Sequence, residues 1–286
     1  MLQPHRSRYW LNAKTREADP AAFAEQVETI CTVYAYAPLL HALGGHSVST
    51  DEMTGIQALE RAAPTQPMQP GQVERREFEY IRHGTRVLIN SLAVATGQLA
   101  WTMGATRKTT DFVVHLQQAY HSLPRMQCYD WVMDNLNTHW SLDVCRLVAW
   151  WCQVPFEPHK LKKGVQRRAF LSDPSHRHVL HFTPKHGSWL NQAELFFGVL
   201  HRRFLARGSF SSATDFERRL ERFLQDYNAR HAHPYRWTYT GEPLIRDTPF
   251  SRTRRQQRHG RACFSPRPKR FERLFYSPRP YRRQAA

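Results

Sequence analysis

The segment from His178 to Phe204, HVLHFTPKHGSWLNQAELFFGVLHRRF, limits the fold of this chain more tightly than any other stretch. It opens with a short apolar run, His178 to Phe182, of strand length and composition. Thr183, Pro184 and Gly187 break that strand, and Ser188 stands where it would cap a new helix. Beyond it Leu190, Ala193, Phe197, Leu200 and Phe204 recur at three- and four-residue steps, which predicts one buried stripe. Glu194 falls at the edge of the stripe, beside Asn191 and His201. A carboxylate there is held by a packed scaffold and can face a cleft at the strand's carboxyl end. Taken alone, such a Glu is usually a solvated residue favoured by the helix dipole.

The rest of the chain supplies partners for this strand and helix. Phe23, Val27, Ile30 and Tyr34 predict a helix over Ala21 to Leu43, weakened at its end by Pro38. Gly44-Gly45 turn the chain into a short strand, His46 to Thr50, which delivers Asp51-Glu52. Met53 to Ala62 shows no period, and the prolines of 63–73 mark a loop. Arg86 to Ala95, Thr96-Gly97 and Gln98 to Met103 read as a hairpin. An amphipathic helix follows over Asp111 to Leu123, then a strand from Met126 to Met133 that ends at Asp134-Asn135. Ser141 to Cys152 is helical, and His159 to His178 is basic and weakly patterned, an insertion or long loop. Ser211 to Asp215 cap a last helix reaching about Asn228. The alternation is that of a mixed α/β domain over 21–245, preceded by a linker at 1–20.

From Arg246 onward 13 Lys and Arg face only Asp247 and Glu272, so +11 of the net charge of +17 sits there. That Arg/Pro-rich tail, 246–286, repeats FSPRP as YSPRP and is expected to be disordered. The body is moderately basic, which suits a polyanion such as nucleic acid. Five cysteines without a Cys-x-x-Cys pair argue against a disulfide framework or a zinc ribbon and fit a reducing cytosol. Neither a signal peptide nor a run of the ~20 apolar residues that a membrane span needs is present.

Three acids stand where a strand finishes or a helix starts: Asp51, Asp134 and Glu194. Hard divalent cations prefer carboxylate oxygens and keep waters for a substrate to displace. Two such ions about 4 Å apart can activate water and stabilise the leaving oxygen of a phosphodiester. Asp51 as a turn residue and Asp134 as an ordinary strand-end Asp remain the alternatives on residue chemistry alone.

DNLNTH at 134–139 and TPKHGSWLNQAE at 183–194 together resemble bacterial insertion-sequence transposases of the mariner-related DDE superfamily. The resemblance covers roughly 5–245 and takes in the Asp51-Glu52 region, Tyr80 to Thr85 and Tyr227-Asn228. It implies an RNase H-like fold, a catalytic triad of Asp51, Asp134 and Glu194, and two Mg²⁺ or Mn²⁺ ions held by those acids. It further implies hydrolysis at transposon ends, attack of the freed 3′-hydroxyl on target DNA, a homodimer as the active form, and the bacterial cytoplasm and nucleoid as location. Asn135, His139, His186 and Asn191 are candidates to steady the acids or touch phosphates, with structural roles as the alternative. Arg82, Arg86, Lys160, Lys162, Lys163, Arg167 and Arg168 are candidate DNA contacts, with solvent as the alternative. Trp131, Trp150, Trp151 and Trp189 read as core rather than as base-stacking platforms.

The chain departs from that family in three ways. Asp134 and Glu194 are 60 residues apart, longer than in mariner-type elements. It begins at what resembles the segment linking helix-turn-helix domains to the catalytic domain, and its basic tail has no counterpart. The two features at the ends predict a truncated or frameshifted copy. A remnant that only binds nucleic acid, or an RNase H-like nuclease such as a junction resolvase, is therefore the competing expectation.

Overall fold

The computed structural model describes residues 19–185 and 187–239. The tail 246–286, nearly all of the linker 1–20, and His186 lie outside the described residues. Helix α1 (Pro20–Ala42) is followed by β1 (Gly45–Arg61), β2 (Tyr80–Ala93) and β3 (Leu99–Gly104). Then come α2 (Thr109–Ser122), β4 (Cys128–Met133), α3 (Leu142–Cys152), α4 (Gly164–Leu171) and β5 (His178–Phe182). Helices α5 (Ala193–Leu200) and α6 (Ala213–Asp226) complete the described part, each extended by a short π turn.

The strands form one sheet in the order β3-β2-β1-β4-β5. Strand β2 runs antiparallel to β1 and β3, whereas β1, β4 and β5 are parallel. This is the mixed α/β, RNase H-like arrangement expected from the sequence. Side chains alternate along each strand, so the core divides between two faces. Val48, Val87, Ile89, Tyr129, Trp131 and Met133 pack beneath α2 and α3, against Phe112, Leu116, Val144, Val148 and Trp151. Their neighbours Leu88 and Leu92 face the other way, onto Phe196 and Leu200 of α5 and Phe216, Leu220 and Leu224 of α6. Val132 and Leu190 meet Val27, Ile30 and Tyr34 of α1 on that second face. Truncating one such fully buried side chain to alanine costs about 2–5 kcal/mol.

Four expectations are corrected. Strand β1 does not stop at Thr50 but runs 17 residues, so Asp51 lies inside it rather than at its end. Two register shifts, between Met53 and Ile56 and between Gln57 and Leu59, reset its alternation, and Gly55 at the first of them has φ +67°. The segment His159 to His178 contains a helix, α4. Ser188 heads a single 3₁₀ turn, and α5 begins only at Ala193. Finally, of the tryptophans read as core, Trp131 and Trp151 are buried while Trp150 and Trp189 are exposed.

The hairpin turn, α2, β4, α3, β5 and α6 lie near their expected positions, although β2 begins at Tyr80 rather than Arg86. Gly97 takes φ +76° in the β2–β3 turn, where a Cβ would lie 2.0 Å from the carbonyl oxygen of His233. Beyond α6, Trp237 and Tyr239 pack against α1, so the aromatic segment through Tyr239 is an ordered strap. Among the described residues no helix is long and apolar enough to cross a membrane.

Candidate active site

The parallel pairing of β1 with β4 decides where the first two acids meet. Ser49 lies opposite Val132, and two residues further along both strands stand Asp51 and Asp134. Asp51 is buried and pairs in register with Asn90 of β2, whose side chain is also buried. Asp51 Oδ1 accepts the backbone N–H of Glu52 at 2.8 Å, while its buried Oδ2 has no hydrogen-bond partner. Both polar atoms of Asn90, and both of the buried Gln192 side chain, are likewise unpartnered. Buried polar groups are normally satisfied, so unfinished groups of this kind mark a place for water or an ion.

The third acid arrives with α5, whose start is pinned to β1 by a closed polar network. Ser49 Oγ donates to Asn191 Oδ1, and Asn191 Nδ2 donates to the Thr50 carbonyl at 2.8 Å. The Tyr34 hydroxyl lies 3.2 Å from Ser49 Oγ and accepts the Gln192 N–H at 3.3 Å. Asn191 thus clamps the helix to the strand that bears Asp51, rather than bonding the Glu194 carboxylate. Asn135 plays a similar part, since its Nδ2 donates to the Thr183 carbonyl and ties the ends of β4 and β5 together. Glu194 itself is exposed at the first turn of α5.

The charges of the three acids interact. Burial, joined by repulsion from Asp134 and Glu194, overrides the Glu52 N–H and pushes Asp51 up to about 7. Partial burial and the Asp134 charge raise Glu194. Asp134 goes the other way. Its partial burial favours the neutral acid, but bonds from His139 and the Leu136 N–H hold it below the usual carboxylate range. His139, fully buried, would be pushed down by desolvation, yet Asp134 and Glu52 raise it to about 9.

The donor set suits a hard divalent cation: carboxylate oxygens in mutual repulsion, one of them buried and unpartnered. Among the described residues, however, no three His, Cys, Asp or Glu side chains stand close enough to hold one ion between them.

A family model for the DDE superfamily endonucleases matches residues 46–217, which contain all three acids. The chain belongs to that superfamily. Solved structures similar to this chain include the Mos1 mariner paired end complex with Mn, at 15% identity and TM-score 0.48, covering 77% of this chain and 59% of that one. A pre-cleavage Mos1 transpososome matches at 12% identity and TM-score 0.46, over 77% of this chain and 59% of that one. The chain therefore spans about three-fifths of those neighbours. No protein with a curated description matches it.

The candidate DNA contacts divide into spent and available cations. Arg86 is paired with Glu217, Lys160 with Glu157 at 2.8 Å, and Arg167 turns back onto the carbonyls of Leu161 and Lys162. Arg82, Lys162 and Lys163 are exposed, Arg82 well beyond Asp51 along the hairpin. Arg168 stacks 5.0 Å over the Trp140 ring, whose Nε1 donates to the Asn135 carbonyl at 3.3 Å. Arg168, Lys185 and Asn135 line a cavity of about 530 Å³ together with the first turn of α1. Sequence reasoning missed Glu52, Asn90 and Gln192. Glu52 carried a signal, as the second acid of an Asp-Glu pair, whereas Asn90 and Gln192 carried none.

Proposed function

We propose that this endonuclease is the catalytic domain of a transposase related to the mariner-like insertion-sequence elements, cutting DNA and joining freed 3′ ends to a target. The observation that carries the reading is the unfinished state of Asp51, buried beside Asp134 with one oxygen unpartnered and its charge opposed by Asp134 and Glu194. Asp51, Asp134 and Glu194 would hold Mg²⁺ or Mn²⁺, two ions in the full site. When bound, such ions supply water activation and charge stabilisation for phosphodiester chemistry.

The chain's own residues do the positioning. Leu136 N–H and His139 fix one oxygen of Asp134, and Asn191 fixes the start of α5 and hence the place of Glu194. Arg168 and Lys185 set two cations in the cavity lined by Asn135, the residue after Asp134, where they suit the phosphates of a bound strand. Transposon-end and target DNA are the partners of this reading, with a homodimer as the active form and the bacterial nucleoid as the place of action.

A second reading, a remnant that binds nucleic acid without cutting it, is favoured by one observation: no three candidate ligands close around a single point among the described residues. Nicking of supercoiled plasmid with Mn²⁺ separates the two. The transposase reading predicts nicking by the native chain and a loss of about 10³-fold in Glu194→Gln. Salt-sensitive DNA binding with no nicking by the native chain would overturn it in favour of the remnant.

A further inference from the structure

Behind Asp134 lies a second carboxylate that takes no part in the set of three. We propose that Glu52 is a positioning residue for Asp134, acting through His139. The inference rests on the reading of Asp134 as a metal ligand. The Glu52 side chain is only 3% exposed and that of His139 not at all. His139 Nδ1 lies 2.7 Å from Asp134 Oδ1, and Nε2 lies 3.3 Å from Glu52 Oε1. The ring is set by Phe112 of α2, 4.2 Å away between centroids and tilted by 31°.

A buried carboxylate is costly unless it is matched by a partner. An imidazole aimed at Asp134 would leave its far nitrogen dry and unpaired in the core, and Glu52 meets that nitrogen. The ring is thereby prevented from turning, and its near nitrogen stays on Asp134. Asp134 Oδ1 also accepts the Leu136 N–H at 2.9 Å. The Leu136 N–H thus holds Oδ1, and the His139 ring stands against the same oxygen with its Nδ1 also 3.2 Å from the Asp134 carbonyl oxygen, while Oδ2 receives no hydrogen bond among the described residues.

Strand alternation explains how β1 reaches the site twice. Asp51 projects to the face covered by α1 and α5. Glu52, the next residue, projects to the face of α2, where His139 meets Phe112. One strand therefore supplies an acid of the site directly and a support for its neighbour at one remove. Partners of this kind typically change metal affinity by about 10–100-fold when removed.

The test is equilibrium Mn²⁺ binding to the full chain, followed by the resonance of free Mn²⁺, with thermal unfolding measured on the same samples. Glu52→Ala is expected to weaken Mn²⁺ binding about 10–100-fold. Glu52→Gln keeps an acceptor oxygen for His139 and is expected to bind more tightly than Glu52→Ala. If the alanine variant does not fold, Glu52→Asp, whose oxygen is drawn back by one methylene, is expected to show the weakening instead. Native Mn²⁺ affinity in the shortened variant, or alanine and glutamine variants equally weak with equally lowered melting temperatures, would overturn the proposal. Asp134→Asn separates the two levels of failure. If it binds Mn²⁺ like the native chain, or the native chain binds none, the metal reading falls and this inference with it. If it loses Mn²⁺ while Glu52→Ala does not, only the inference falls.

Discussion

Thr50 and Asp51 are neighbours on β1 and face opposite sides of the sheet, into polar surroundings of opposite kind. On the Thr50 side the network is complete. Thr50 shares a 2.7 Å hydrogen bond with Ser91, Ser91 lies 2.8 Å from His115 Nε2, and His115 Nδ1 lies 3.1 Å from Thr102. On the Asp51 side a carboxylate oxygen and the Asn90 amide are buried without partners. Burial holds His115 neutral, driving it down to about 3, whereas burial and repulsion drive Asp51 up to about 7. The closed network serves the fold. On the proposed function, the open one is where a divalent cation would complete the unpartnered groups.

The largest effect that would break this contrast is on chemistry. Asp134→Asn is expected to lower plasmid nicking by about 10³-fold, while Ser91→Ala, in the closed network, leaves nicking of the folded protein at its native rate. Equal losses would mean that the two networks do not differ in kind. Next comes stability, with the opposite ranking. Ser91→Ala strands the Thr50 hydroxyl and a His115 nitrogen and is expected to cost about 2–3 kcal/mol in denaturant unfolding. Asp51→Asn removes a dry, repelled charge and is expected to stabilise the metal-free protein by about 2 kcal/mol. A destabilised Asp51→Asn would show that the carboxylate is already satisfied.

The smallest effect is a slope. His115 has a folded pKa below its ordinary value of about 6.5, so its contribution to stability is present above that pH. It is lost as pH falls toward about 3, because the unfolded chain takes up the proton first. The expected slope is about 1.4 kcal/mol per pH unit. Subtracting the unfolding curve of His115→Gln from the native one should isolate it; a flat difference would mean that His115 is protonated in the fold.

The sequence displayed the strands and helices with a single regular face and concealed those without one. Strand β5 and helix α3 lie where their apolar patterns place them, because each buries a periodic set of side chains. The outer half of β1 shows no pattern because two register shifts interrupt its alternation. Helix α4 buries only Leu171, so no stripe could reveal it. At the site, Asp134 was legible as an acid past a strand end, whereas Asp51 lies inside β1 rather than at the end its pattern suggested, and the adjacency of the two comes from the pairing of β1 with β4. Asn191, read locally as a support for Glu194, instead bonds β1 at Ser49 and Thr50, contacts between distant parts of the chain that a local pattern does not carry. The same holds for Glu52, whose partner His139 enters from the 3₁₀ turn after β4.

The most direct test of the convergence of Asp51, Asp134 and Glu194 on a divalent cation is anomalous scattering from crystals of the full chain soaked in Mn²⁺. The account predicts a manganese peak within ligand distance of carboxylate oxygens from both Asp51 and Asp134. Manganese bound elsewhere, with these two carboxylates bare, would contradict it.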